Sequence, residues 1–78
     1  MARVLLFGRL ADVAGWRERQ VDGATLAEIR AALSEDDALA EALSGPGVQA
    51  AVDRVIVRGE AALTAASEVA FMPPMSGG

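Results

Sequence analysis

The chain has 78 residues, of which 53% are apolar and 23% charged, so it is long enough for one small domain and too apolar for a disordered segment. Cysteine and histidine are absent, which excludes disulfides, cysteine–histidine zinc sites, thiol nucleophiles and histidine bases, and we expect no metal. Seven arginines against eleven acidic residues give a net charge of −4, which argues against nucleic acid as a partner. Long apolar runs and an export signal are also missing, so we expect no membrane association and a cytoplasmic location.

The N-terminal part of the chain predicts two strands joined by a helical turn. Residues 3–9 form a short apolar run whose length favours a strand. Residues 10–14 predict one or two helical turns that end at Gly15, where a left-handed backbone meets no Cβ penalty. Residues 17–21 predict a polar second strand, and Asp22-Gly23 predicts a turn after it.

The best helix signal follows this turn. Thr25 and Glu28 have the spacing of a capping box, in which the threonine hydroxyl accepts from a backbone N–H and the glutamate reaches back. Leu26, Ile29 and Leu33 recur at helical spacing and predict a buried stripe.

A second helix is predicted over residues 36–43, with Leu39 and Leu43 buried and a stop at residues 45–47. Acidic residues in its first turn suit the helix dipole. We interpret the acids at 35–37 as a solvated helix start rather than a catalytic carboxylate pair, because consecutive helical residues point in different directions.

The C-terminal part predicts further strands. Residues 50–57 are rich in valine and isoleucine, and Asp53-Arg54 in their middle predicts a tight turn that makes a hairpin. Leu63 is an isolated apolar residue that is expected to anchor a polar stretch. Residues 68–72 alternate and predict a final strand, which Pro73-Pro74 ends because neither proline can donate to a ladder.

The order of elements is strand, strand, helix and then two or three strands. One amphipathic helix across one face of a mixed sheet satisfies the layer rule with the fewest parts, so we predict an α+β fold of the β-grasp type with one main helix. We expect a domain at residues 1–72 and an extended tail at 73–78. The predicted core consists of Val4, Leu6, Leu26, Ile29, Leu33, Val52, Val69 and Phe71.

Most enzyme sites cannot be built here, because the sequence lacks a serine–histidine–aspartate set, a metal cluster and a glycine-rich phosphate loop. What remains is the tail. Pro73 and Pro74 are stiff and are expected to hold it off the domain, and the side chains then taper to Gly77 and Gly78. Such a taper suits a chain end that enters a narrow channel in another protein. The alternative is an ordinary frayed end.

The carboxylate of Gly78 is then the expected reacting group. A carboxylate is inert as an acyl donor because its leaving group would be oxide, but ATP can convert it to an acyl-adenylate, whose leaving group is AMP. Attack by sulfur on the adenylate gives a thiocarboxylate. That product carries a transferable sulfur and requires no cysteine in the carrier.

At this end the sequence resembles a known family. Phe-Met-Pro-Pro-Met-Ser-Gly-Gly at 71–78 is similar to the C-terminal signature of the small subunit of molybdopterin synthase, the MoaD-type sulfur carriers. The resemblance extends to the segments at 4–7, 10–15, 24–29 and 52–53. Ala66-Ser67 stand where the family usually has glycine and aspartate.

The resemblance implies a ubiquitin-like fold and a carrier that is a co-substrate rather than an enzyme. An E1-like adenylyltransferase would use ATP to activate Gly78, which would become 1-thioglycine, and the carrier itself would bind no cofactor. The tail would insert into the large subunit of a heterotetrameric molybdopterin synthase and deliver sulfur to cyclic pyranopterin monophosphate, which serves molybdenum cofactor biosynthesis. The inserted residues would be Pro73, Pro74, Met75, Ser76 and Gly77.

The strand pattern also predicts a docking surface. If Val69 and Phe71 face the helix, Met72 faces away from it, and we expect Phe7 and Ile56 to share that open face as an apolar patch that binds both partners. The alternative is that Phe7 and Ile56 are ordinary core residues. Three other functions stay open: a sulfur carrier for thiazole and thiamine synthesis, a ubiquitin-like modifier that forms isopeptide bonds, and a passive interaction module.

Overall fold

A computed structural model describes residues 1–74, and residues 75–78 lie outside the described part of the chain. Within residues 1–74 the chain forms five strands and three short helices. In chain order they are β1 (Ala2–Leu6), α1 (Arg9–Ala14), β2 (Glu18–Val21), α2 (Leu26–Leu33), α3 (Asp37–Leu43), β3 (Gln49–Val52), β4 (Val55–Val57) and β5 (Glu68–Met72).

The five strands form one mixed sheet in the order β2-β1-β5-β3-β4. The first and last strands are parallel neighbours at its centre, with Val4 opposite Val69 and Leu6 opposite Phe71. The other pairs, β1 with β2, β3 with β5 and β3 with β4, are antiparallel. This sheet, with helices packed on one face, confirms the predicted β-grasp fold.

Local chemistry explains where the helices begin and end. Gly15 ends α1 in the left-handed conformation, with φ 83°, and its N–H donates to the Ala11 carbonyl, as predicted. At the start of α2 the Thr25 hydroxyl accepts from the Glu28 N–H at 3.2 Å. The Glu28 carboxylate accepts in turn from the N–H of Ala24 at 3.0 Å. The predicted capping box is therefore present, with its return hydrogen bond made to Ala24 rather than to the N-cap Thr25 itself.

The acidic start of the second helix has a structural role. Asp36 is the N-cap of α3, and its carboxylate accepts from the N–H groups of Ala38 and Leu39 at 3.0 and 3.2 Å. The predicted stripe of α3 is correct, because Leu39 and Leu43 are buried. The two shorter helices, which were also predicted, accompany the main helix α2, with α1 packed against α3.

The predicted hairpin and final strand are confirmed. Asp53 and Arg54 connect β3 to β4 with φ values of 49° and 71°, the positive pair that a two-residue type I′ turn requires. The Asp53 N–H donates to the Glu68 carbonyl at 2.8 Å, and its carboxylate accepts from the Glu68 N–H at 2.9 Å. These two bonds hold the hairpin turn against the start of β5.

The core lies between the sheet and the helices. It contains seven of the eight predicted residues, and it also recruits Ala2, Leu10, Val21, Leu39, Leu43, Ala50 and Leu63. Val52 was predicted to be buried but is half-buried, because it lies next to the outer strand β4 and packs at the margin of the core. Leu63 is buried as expected and anchors the segment between β4 and β5.

Two turns differ from the simplest expectation. The first strand was predicted from the apolar run within residues 3–9, and it ends at Leu6 because Gly8 turns the chain at φ 55° and Arg9 begins α1. Before β5, Ser67 is buried and its hydroxyl accepts from the Thr64 N–H at 2.9 Å. The Ser67 hydroxyl therefore closes the turn that leads into β5.

Candidate functional site

One face of the sheet is left open by the helices within residues 1–74. Because side chains alternate along a strand, burial of Val4 and Leu6 under the helices sends Leu5 to the opposite side. The register then aligns Leu5 with Ala70 on β5. We call this side the open face and the other the helix face.

An apolar row crosses four strands of the open face. Ala70 pairs with Ala51 on β3, and Ala51 pairs with Ile56 on β4, so the row continues from Leu5 to the edge of the sheet. The Phe7 N–H donates to the Phe71 carbonyl at 3.2 Å, which extends the β1–β5 ladder by one residue. The open-face patch consists of Leu5, Phe7, Ala51, Ile56, Ala70 and Met72.

The patch is accessible at Phe7 and Ile56 and has a charged border. Phe7 is 47% exposed and Ile56 is 44% exposed, whereas Leu5, Ala70 and Met72 are half-buried and Ala51 is buried. At one end of the patch, Arg3 contacts Glu68 at 2.6 Å and Glu18 at 3.6 Å. An apolar centre with a polar rim is typical of a protein-binding surface.

Beyond β5 the chain continues into Pro73 and Pro74, which we call the stalk. Pro73 is half-buried and Pro74 is exposed. Both prolines line a groove of about 450 Å³ together with Arg9, Leu10 and Val48. The expectation that the prolines hold the chain off the domain is wrong for these two residues, because the stalk lies against the turns that follow β1 and precede β3.

The three residues predicted to form the docking surface, Phe7, Ile56 and Met72, share the open face. The alternative that Phe7 and Ile56 are core residues is wrong, because both are exposed. Their binding role stays a prediction. The reacting Gly78 and the neighbouring tail residues at 75–77 lie outside the described residues.

Three members of the patch, Leu5, Ala51 and Ala70, were not predicted. Their signal was present in the pattern. A two-residue turn at Asp53-Arg54 places Ala51 opposite Ile56, since hairpin register follows from the length of the turn. By alternation Leu5 shares a face with Phe7, and Ala70 shares one with Met72, whereas the alignment of Leu5 with Ala70 follows only from the long-range pairing of β1 and β5.

The ionisable groups of the described residues include one clear perturbation, and it lies near the start of α2, away from the patch. Hydrogen bonds from the N–H groups of Ala61 and Ala27 to the Glu60 carboxylate lower the pKa of Glu60 below its ordinary value of 4.5. Residues 1–74 contain no cluster of three or more acidic, histidine or cysteine side chains that could hold a metal. In the same part of the chain, no helix is both long and apolar enough to cross a bilayer.

The fold is similar to that of several solved structures. SAMP1 from Haloferax volcanii superposes with a TM-score of 0.79 at 30% identity, over 99% of this chain and 98% of that chain. The small archaeal modifier protein 1 from Methanosarcina acetivorans gives a TM-score of 0.84 at 21% identity, over 99% and 95% of the two chains. A chain of the complex of subunits 1 and 2 of molybdopterin-converting factor from Helicobacter pylori 26695 gives 0.78 at 23% identity, over 99% and 97%.

A comparison with curated protein sequences finds no match. The sequence does match a family model, that of the ThiS family, over residues 4–78. This match covers nearly the whole chain and includes the central strands, the open-face patch and the stalk. The chain therefore belongs to the ThiS family of small ubiquitin-like sulfur carriers, which are generally non-catalytic.

Proposed function

We propose that the chain is the sulfur carrier subunit of molybdopterin synthase and donates sulfur to cyclic pyranopterin monophosphate in molybdenum cofactor biosynthesis. The observation that carries the proposal is the run at 71–78, in which the central strand β5 leads through the stalk to two glycines. Membership of the ThiS family and the fold shared with a chain of molybdopterin-converting factor support it.

The proposed chemistry takes place on the carboxylate of Gly78. Its oxygen attacks the α-phosphate of ATP on an E1-like adenylyltransferase, which releases pyrophosphate and leaves an acyl-adenylate. Sulfide from a sulfur donor then attacks the acyl carbon, a C–S bond forms as the C–O bond to AMP breaks, and 1-thioglycine remains at Gly78 after loss of a proton. The carrier supplies no catalytic side chain and holds no cofactor, so the groups that move protons belong to its partners.

The open-face patch is the proposed docking surface for both the activating enzyme and the large subunit. Apart from Arg3 and Glu68 at their starts, strands β1 and β5 are apolar on both sides, a pattern that is typical of strands covered on both faces, yet the helices cover only one. A partner on the open face would remove the exposed parts of Phe7 and Ile56 from water, which contributes about 1 kcal/mol each, since each is already more than half buried.

Docking on this face would also direct the tail. Met72 belongs to the patch and directly precedes the stalk, so a partner that binds the patch meets the chain where it leaves the sheet. We propose that residues 73–77 then lie in a channel of the large subunit and that two carriers bind two large subunits. We also propose that this happens in the cytoplasm, with neither membrane nor nucleic acid as a partner.

The test is the intact mass of the carrier after incubation with the cognate activating enzyme, ATP and a sulfur donor. We expect a mass gain equal to the exchange of one oxygen for sulfur, located on Gly78. A variant that lacks Gly78 is the control and should gain nothing. If the full chain also keeps its mass, or if the shortened chain still supports cofactor assembly, the proposal is wrong.

The acceptor is tested separately. The thiocarboxylated carrier is mixed either with the large subunit and cyclic pyranopterin monophosphate or with a thiazole-forming synthase. Formation of the dithiolene in the first mixture supports the proposal, and sulfur transfer only in the second assigns the chain to thiamine synthesis.

A second candidate function is favoured by one specific observation. The structure at 30% identity is a protein named as a modifier, SAMP1. A modifier would join the carboxylate of Gly78 to lysine side chains of other proteins. Peptide mapping of cellular proteins for branched lysines that carry the Ser76-Gly77-Gly78 remnant would detect such bonds, and their absence under active cofactor synthesis would remove this candidate.

A further inference from the structure

We propose that Gly47 and, to a smaller degree, Gly8 are positioning residues that set the direction in which the stalk leaves the sheet. Both glycines lie in turns next to the central strand, Gly8 after β1 and Gly47 before β3. The inference rests on the proposed function, because the direction of the stalk matters only if the tail must enter a partner. Its geometry, however, is independent of any partner.

The sheet register brings the two glycines to the stalk. On the parallel side Leu6 lies opposite Phe71, so two residues further along Gly8 falls opposite Pro73. On the antiparallel side Gln49 lies opposite Met72, and continuing that pairing by two residues places Gly47 opposite Pro74. The stalk thus extends the line of β5 between its two neighbours.

The stalk has no backbone donor with which to continue the ladder. Proline has no N–H, so the ladder loses its donors as soon as β5 ends at Met72, although the proline carbonyls can still accept. Packing against the flanking turns therefore has a larger share in fixing the direction of the stalk. The flanking positions are occupied by residues without side chains, which lets the proline rings approach the backbone closely.

The distances show how close this approach is. A Cβ added to Gly47 would lie 2.7 Å from the Cβ of Pro74, too close for the present geometry to persist. A Cβ added to Gly8 would lie 3.1 Å from the Cγ of Pro73, which is tight but meets only the outer edge of a ring that can pucker. Gly47 is therefore the stronger determinant.

Backbone conformation is the competing explanation for these glycines, since Gly47 has φ 81° and any other residue would be strained there. The chain contains a matched control. Gly15 has φ 83°, and a Cβ added to it would meet nothing within 4 Å. Alanine at either position must adopt a positive φ near 80°, but only alanine at Gly47 collides with the stalk.

The experiment compares Gly47→Ala with Gly15→Ala in the thiocarboxylation assay. We expect both variants to lose thermal stability, because each places a Cβ at a positive φ, and Gly47→Ala to lose more because of the added collision. In Gly47→Ala we expect kcat to fall on the order of 10- to 100-fold through misplacement of the reacting end, with KM unchanged because the patch is intact. In Gly15→Ala both constants should stay near those of the wild type.

A double variant tests the contact itself. Pro74→Gly removes the ring atom that the new Cβ would meet, so adding Gly47→Ala to Pro74→Gly should lower kcat much less than it does in the wild-type background. Equal kcat in Gly47→Ala and Gly15→Ala, or an undiminished effect in the Pro74→Gly background, would overturn the inference.

A partner-free measurement separates this inference from the proposed function. In the wild-type carrier, NMR should show nuclear Overhauser contacts between the Hα protons of Gly47 and the Hβ protons of Pro74, and Gly47→Ala should shift the Pro73 and Pro74 resonances. Gly15→Ala should not shift them. Absence of these contacts overturns the inference whatever the assay shows. If the contacts are present but the wild type never gains sulfur, the proposed function fails and the packing of the stalk stands.

Discussion

The two faces of the central strands carry residues of similar hydrophobicity in very different surroundings. On β5, Val69 and Phe71 are fully buried beneath the helices, whereas Ala70 and Met72 alternate with them on the open face. On β1, Leu6 is buried while its neighbour Phe7, just beyond the strand, is 47% exposed. One residue of register therefore decides whether an apolar side chain stabilises the fold or remains available to a partner.

This contrast explains why so small a domain keeps a strongly apolar open face. The helix face already encloses a core that includes Leu26 and Ile29, so folding does not require the other face to be covered. A sheet that merely faced water would be expected to carry polar residues there. The residues needed for stability therefore lie on the helix face, and the residues proposed for docking lie on the open face.

The largest effect is expected on the helix face. Truncation of Phe71 by Phe71→Ala should lower the free energy of unfolding by about 3–5 kcal/mol, because the ring is fully buried and lies beneath the guanidinium of Arg30. The measurement is urea denaturation followed by circular dichroism. Met72→Ala on the open face is the matched truncation and should cost about 1 kcal/mol. Equal losses would mean that the two faces do not differ.

The next effect should appear in binding rather than in stability. Met72→Glu places a charge in the open-face patch and should weaken both complexes by about 2 kcal/mol or more, as central interface residues commonly do. The melting temperature should fall only about as much as in Met72→Ala, so the protein stays folded under the conditions of the titration. Calorimetric titration with the activating enzyme and with the large subunit measures the affinities.

Val55→Glu is the control for this charge. Val55 is 65% exposed, and it pairs with Val52 rather than with a residue of the patch. The Val55→Glu substitution therefore adds the same charge to the same sheet, but outside the open-face patch. Unchanged affinity in Met72→Glu, or an equal loss in both variants, would remove the docking role of the patch.

Much of the fold was predictable because its signals are local. The Thr25–Glu28 cap, the left-handed Gly15 and the Asp53-Arg54 turn each involve residues within four positions of one another, and each is present in the structure. The end of β1 at Leu6 was not predictable from its apolar run. The end of β1 depends on the turn at Gly8, which lies beside Pro73, a residue distant in sequence.

The site divides in the same way. Phe7 and Met72 could be assigned to the open face from strand alternation alone. The packing of the stalk could not, because it depends on the pairing of β5 with both β1 and β3, strands separated from it by many residues. From the sequence alone, a stiff Pro-Pro pair predicts a spacer without contacts to the domain. Its packing against Gly8 and Gly47 becomes visible only in the folded sheet.

A pH effect is expected on the helix face and not in the apolar patch. The pKa of Glu60 is lowered in the folded state, chiefly by hydrogen bonds from the N–H groups of Ala61 and Ala27, so its stabilising contribution is complete above its ordinary value of 4.5 and disappears as the pH falls through the lowered pKa. The stability difference between wild type and Glu60→Gln should therefore shrink on acidification. Glu35→Gln changes an exposed glutamate and is the control. If the stability difference between wild type and Glu60→Gln stayed constant with pH, the role of these hydrogen bonds to Glu60 would be contradicted.

The smallest effect concerns the turn of the β3–β4 hairpin, whose strands carry residues of both the helix face and the open face. Arg54 has φ 71°, a left-handed conformation that opposes its Cβ, whereas glycine adopts it without strain. Arg54→Gly should therefore raise the free energy of unfolding by about 0.5–1 kcal/mol, since the relief of strain exceeds the added flexibility of the unfolded chain. Affinity for both partners should not change, because Ile56 keeps its register opposite Ala51. A gain in stability accompanied by a loss of binding would mean that Arg54 itself contacts a partner, and the docking surface would then extend from the open face around the end of the hairpin.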